Sequence, residues 1–125
     1  MSKRILAADD SAAMREILGV TLEEAGYDVT TASDGQEALA LALKSQFDLV
    51  LTDQHMPAMD GLKLIQSLRQ MEAYDAVPIL VLTTEFGESF KLAARDAGAS
   101  GWLLKPIDPL TLAEVVAELI AHEDA

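Results

Sequence analysis

Asp48-Leu49-Val50-Leu51-Thr52-Asp53 is a short apolar run that ends on a carboxylate, and its reading decides the fold. An apolar run of this length without polar alternation marks a strand covered on both faces, as in parallel sheets. Three other segments share the design: Ile5-Leu6-Ala7-Ala8 runs into Asp9-Asp10, Ile79-Leu80-Val81-Leu82 into Thr83-Thr84, and Trp102-Leu103-Leu104 into Lys105-Pro106. If all four are parallel strands of one sheet, three carboxylates, two hydroxyls and an ammonium converge on its carboxyl edge, where open α/β sheets bind ligands. Such a triad demands a cation, because two unit charges ~5 Å apart repel by roughly 3 kcal/mol at an effective dielectric of ~20. A hard, oxygen-seeking ion such as Mg²⁺ is the natural candidate.

The intervening segments carry helical periodicity. Ser11 is a good N-cap, followed by Met14, Ile17, Leu18, Thr21, Leu22 and Ala25 at helical spacing, with Gly26 as the stop. Asp28 to Ala32, rich in Val and Thr, predicts a strand. Asp34 with Glu37 three residues on is a capping-box pattern, opening a helix to about Lys44 that buries Ala38, Leu41 and Ala42. The strand 48–52 then delivers Asp53, and the loop Met56-Pro57-Ala58-Met59-Asp60-Gly61 leads to a helix burying Leu64, Ile65, Leu68 and Met71. Val77-Pro78 introduces the strand 79–82, and Phe90, Ala93, Ala94 and Ala97 give a thin stripe to a helix over about 88–97. After Gly98-Ala99-Ser100-Gly101 and the fifth strand, Asp108 caps a last helix with Pro109 at its first position and Leu112, Val115, Val116, Leu119 and Ile120 on one face. Five βα units in series predict a (βα)5 doubly wound, five-stranded parallel sheet.

Bulk properties narrow the function. The 125 residues fit one domain, and 50% hydrophobic content supplies a core without disulfides, of which there are none because cysteine is absent. A net charge of −12 argues against non-specific binding to nucleic acid or anionic membrane. The apolar run after Met1-Ser2-Lys3-Arg4 stops at Asp9, too short for a signal-peptide core, so a cytoplasmic location is expected.

The motifs Asp9-Asp10-Ser11, Asp53 with Met56 to Gly61, Thr83-Thr84-Glu85, and Lys105-Pro106, in this order and at strand ends, resemble the receiver domain of bacterial response regulators. The resemblance covers essentially all 125 residues and is nearest to the stand-alone, CheY-like chemotaxis type. It implies the flavodoxin/CheY-like strand order 2-1-3-4-5 and a single receiver domain over 1–125 without an output domain. It further implies that Asp53 is the phosphoacceptor, taking a phosphoryl group from a sensor histidine kinase, a histidine phosphotransfer protein or a small phosphodonor in a Mg²⁺-dependent reaction. Asp10, Asp53 and the His55 backbone carbonyl would ligate the ion, and Asp9 would hold a metal-bound water. Lys105 and Thr83 would meet phosphoryl oxygens, and a cis bond is expected at Lys105-Pro106.

The resemblance assigns the switch to Thr83 and Trp102, where Tyr or Phe is more usual than Trp, and dephosphorylation tuning to His55 and Glu85. Output would pass through the face made by the fourth helix, fifth strand and fifth helix, with Phe90, Lys91, Arg95 and Trp102, to a downstream protein such as a flagellar-motor switch component. A phosphate sink or relay intermediate is the alternative within the family.

Two readings from other classes compete. A Mg²⁺-dependent aspartyl-phosphate phosphatase shares the chemistry but usually carries an acid two residues beyond the nucleophile, where this chain has His55. A flavodoxin-like cofactor binder needs a Gly/Ser/Thr-rich phosphate cradle after the first strand, where two aspartates stand instead. Outside the site, Met56 and Met59 read as loop packing, and His122 as an exposed residue favourable to the helix dipole.

Overall fold

The computed structural model describes residues 2–124, with side chains through residue 121; the expectation for the His122 side chain lies outside the described residues. The elements are β1 (Arg4–Ala8), α1 (Ala12–Glu24), β2 (Asp28–Ala32), α2 (Gly35–Lys44), β3 (Leu49–Asp53), α3 (Gly61–Arg69), a short 3-10 helix (Glu72–Tyr74), β4 (Ile79–Thr83), α4 (Glu88–Ala97), β5 (Gly101–Leu104) and α5 (Pro109–Asp124). All strand pairs are parallel, in the order β2-β1-β3-β4-β5. Every residue of β3 and β4 is buried, as expected of strands covered on both sides.

The uninterrupted apolar runs hide a strict alternation between two cores. Leu6, Ala8, Val50, Ile79 and Val81 face α2, α3 and α4, where Ala38, Leu64, Ile65, Leu68 and Ala97 meet them. Ile5, Ala7, Leu49, Leu51, Leu80 and Leu82 face α1 and α5, against Leu18, Leu22, Leu112 and Val116. Each fully buried Leu or Ile stabilises by roughly 1.5–3 kcal/mol, so the sheet is held from both faces. Its carboxyl rim is therefore a rigid platform.

Local chemistry sets the element ends. Ser11, Asp34 and Asp60 each accept the N–H three residues on, from Met14, Glu37 and Lys63. The α2 cap departs from a capping box: Glu37 Oε1 accepts from the Ser33 N–H at 2.6 Å, one residue before the cap. The strand expected at 48–52 sits one residue later, because the Asp48 carboxylate accepts the Arg4 N–H at 2.7 Å and closes the strand's mouth. Ile17, at 47% exposure, and Ala25 lie off the buried stripe of α1, which Leu18 and Leu22 carry, and Ala93 is exposed on α4. Met71 packs on the core from beyond the end of α3. Met56 and Met59 pack there as expected, and Lys105-Pro106 is cis.

The 3-10 helix was not foreseen, nor was the clasp around it. Arg69 donates from Nε to the Gly98 carbonyl at 2.9 Å and from Nη1 to the carbonyls of Tyr74 and Val77 at 2.6 and 2.7 Å. One guanidinium thus ties α3 to the entry of β4 and the exit of α4. An Arg69→Met substitution leaves these carbonyls without their charged donor and is expected to destabilise by about 2–3 kcal/mol. Urea unfolding checks this, with the midpoint falling at unchanged slope.

Candidate functional site

Asp9 follows β1 and Asp53 ends β3, and because β1 and β3 are neighbours their carboxylates emerge side by side. Asp10 joins them: one oxygen from each of Asp9, Asp10 and Asp53 lies within 4.8 Å of the others. Asp9 is fully buried, Asp53 nearly so, and Asp10 faces solvent. Lys105, delivered by β5 from the far side of β4, reaches across with Nζ 3.1 Å from Asp53 Oδ1 and 3.2 Å from Asp9 Oδ2. The ammonium touches both buried acids.

Backbone donors complete the anchoring. Asp9 Oδ1 accepts the Ser11 N–H and Asp53 Oδ1 accepts the Gln54 N–H, each at 2.9 Å. Both the Gln54 hydrogen bond and the Lys105 ion pair of the Asp53 carboxylate fall on Oδ1. Thr83 is fully buried at the end of β4, its Oγ1 accepting the Glu85 N–H at 3.0 Å, and its carbonyl accepts the Lys105 N–H at 2.8 Å. His55 Nε2 lies 3.0 Å from Glu85 Oε2, so the two loops flanking the site touch through exposed side chains. That contact takes the His55 ring to Glu85 and not into the carboxylate cluster. Trp102 is half-buried on β5, packed against the core beneath α4, with Lys91 Nζ 5.9 Å from its ring centre.

The charges perturb one another. Burial pushes the Asp53 carboxyl above its usual range and the Asp9 charge adds to this, while the Lys105 hydrogen bond opposes both. For Lys105 burial alone would lower the pKa, but the combined pull of Asp53 and Asp9 raises it above the ordinary lysine value. The acids still outnumber the ammonium. Three hard carboxylate oxygens at this spacing fit a divalent ion of the Mg²⁺ type, which takes oxygen ligands and tolerates few protein donors.

The expected residues Asp9, Asp10, Asp53, Thr83 and Lys105 all stand on the carboxyl rim. Three further positions shape it without having been singled out. A Cβ at Gly61 would lie 2.4 Å from the Asp53 carbonyl oxygen, and one at Gly35 would lie 2.2 Å from the Met59 carbonyl oxygen, so both glycines let backbone press on backbone. Gln54 is buried with its amide oxygen on the Leu62 N–H. A glycine directly after each capping aspartate was the available signal for the first two; a glutamine carries none.

Comparison with known proteins agrees with this geometry. A family model described as the response regulator receiver domain matches residues 5–117. The alkaline phosphatase synthesis transcriptional regulatory protein PhoP of Bacillus subtilis is 39% identical over 109 residues, covering 87% of this chain and 45% of PhoP. The chain thus spans about half that relative's length. Among solved structures, chemotaxis protein CheY4 of Vibrio cholerae superposes with a TM-score of 0.92 at 41% identity, covering 95% of this chain and 99% of that one. A response regulator protein from Burkholderia multivorans is 59% identical with a TM-score of 0.80, over 95% of both chains.

Proposed function

The chain belongs to the response regulator receiver domain family, with an acidic cluster positioned for Mg²⁺-dependent phosphorylation, and on that premise we propose that Asp53 is the phosphoacceptor. The observation carrying this reading is the convergence of Asp9, Asp10 and Asp53 within 4.8 Å, with Lys105 bridging the two buried members.

The Asp53 carboxylate attacks phosphorus through Oδ2 as the bond to the donor's imidazole nitrogen or acyl oxygen breaks, giving an aspartyl phosphate and a released donor. Like charges oppose that approach, so the step depends on positioning and charge neutralisation. Asp10, Asp53 and the His55 carbonyl, with Asp9 behind them, would hold a divalent ion, which would supply part of the neutralising charge when bound. Lys105 supplies the rest, leaving its contact with Asp53 Oδ1 to meet an incoming phosphoryl oxygen. Thr83, already at the strand end, offers its hydroxyl proton to another. His55 and Glu85 flank the path of a hydrolytic water and set how long the phosphoryl group stays.

Signalling follows from a shift between two packings at Thr83 and Trp102. The face of α4, β5 and α5, including Phe90, Lys91, Arg95 and Trp102, presents the result to a downstream protein. The donor is a sensor histidine kinase or a histidine phosphotransfer protein. Likeness to chemotaxis protein CheY4 supports a place in chemotaxis signalling.

The test is incubation with acetyl phosphate and Mg²⁺. Intact mass should rise by one phosphoryl group, a chelator should prevent it, and the fluorescence of Trp102, the sole tryptophan, should change in step. An unaltered mass at saturating donor and metal would refute the assignment.

A further inference from the structure

We propose that Gln54 is a positioning residue for the acceptor, fixing both the Asp53 carboxylate and the loop behind it; this rests on Asp53 as the phosphoacceptor. Three hydrogen bonds converge on this one residue. Its N–H donates to Asp53 Oδ1 at 2.9 Å, its carbonyl accepts the Gly61 N–H at 3.0 Å, and its side-chain Oε1 accepts the Leu62 N–H at 3.0 Å.

The chemistry of the side chain is what singles it out. Gln54 is only 8% exposed, and a buried amide costs free energy unless its polar atoms are paired. A leucine or methionine would fill the same volume more cheaply. The amide oxygen is instead committed to Leu62, whose N–H is one of the four at the start of α3 without an intrahelical partner. Asp60 caps the neighbouring Lys63 N–H at 2.9 Å, so the two side chains divide the first turn between them. The start of α3 is thereby closed onto the end of β3, and Gly61 is pressed so near that a Cβ there would lie 3.1 Å from Gln54 Oε1.

The consequence falls on the reacting carboxylate. With Oδ1 held by the Gln54 N–H and Lys105, Oδ2 is the oxygen presented for attack. The loop that the brace closes begins at His55, whose carbonyl is the proposed backbone ligand. Losing the Oε1 acceptor strands the Leu62 N–H, lets the first turn of α3 move away, and loosens the Gln54 backbone that orients Asp53.

Three variants test this. Gln54→Met keeps the length and loses the acceptor, Gln54→Asn keeps an amide that falls one methylene short, and Gln54→Glu keeps an acceptor in place. The Met and Asn variants should be phosphorylated about 10-fold more slowly at saturating acetyl phosphate and Mg²⁺ with little change in donor KM, as expected of a misplaced nucleophile. In metal-free protein the Leu62 amide should exchange hydrogen faster in both, and as slowly as wild type in the Glu variant. Wild-type rates in the Met and Asn variants, or unchanged Leu62 exchange in them, overturn the proposal. An Asp53→Asn control separates the two levels. Phosphoryl uptake by that chain would defeat the acceptor assignment, whereas its silence beside unimpaired Gln54 variants would defeat the Gln54 assignment alone.

Discussion

Asp53→Asn is expected to abolish phosphoryl uptake from acetyl phosphate, a loss of about 10³-fold or more, because an uncharged amide oxygen cannot replace a carboxylate nucleophile. Intact mass after prolonged incubation reads this directly, and uptake at the wild-type level would place the acceptor elsewhere. The same substitution should stabilise the metal-free fold. Burial holds the Asp53 pKa above its ordinary value, so the stability linked to its protonation is full below that ordinary value and is lost as pH rises through the folded one. At about pH 7 the ionised group therefore works against the fold, and asparagine relieves it. The gain in melting temperature should be present near neutrality in chelator and fade in acid.

Lys105→Met is expected to have the opposite effect on stability. It leaves Asp9 and Asp53 facing each other without the ammonium that lies 3.2 and 3.1 Å from them. Deleting one partner of a buried ion pair costs about 3 kcal/mol or more. Urea unfolding of metal-free protein at about pH 7 measures the loss, which should shrink as Asp53, whose pKa burial raises, takes up its proton in acid. Mg²⁺ at about 100 times its Kd should return about 2.7 kcal/mol. Phosphorylation should still slow by roughly 10²-fold, since charge on the transferring group loses a fixed donor. A variant that is as stable as wild type in chelator would show that the ammonium does not hold the acids together.

Much of this architecture was legible because it is written locally. Strand ends were marked by an apolar run stopping at Asp9, Asp53, Thr83 or Lys105, and helix starts by Ser11, Asp34 and Asp108, each of which caps within three residues; Asp60, which reads as loop, caps α3 in the same way. The site followed from the strands, since parallel neighbours deliver their terminal residues to one rim. What escaped depends on contacts between distant segments. Tyr74 is buried because its hydroxyl donates toward the carbonyls of Ala42 and Ser45, 32 and 29 residues away, and no periodicity records that. Arg69 reads as an ordinary last-turn base, and its hold on Gly98 appears only when α4 is in place. The Glu37 bond is the local exception: its partner is the Ser33 N–H four residues back, next to the Asp34 N–H that the pattern pointed to. Gln54, like Arg69 and Tyr74, pairs across the sequence: its partner is the N–H of a helix that begins seven residues later.

The polarity of the sheet also dictates where the molecule can be handled. β1 enters at Arg4 and leaves at Ala8, so the two ends of that strand stand about 13 Å apart at ~3.3 Å per residue. A dye or a surface linker attached beside Arg4 would sit on the rim opposite the carboxylates, and the protein could be tethered to a sensor chip there with its reactive end facing the solution.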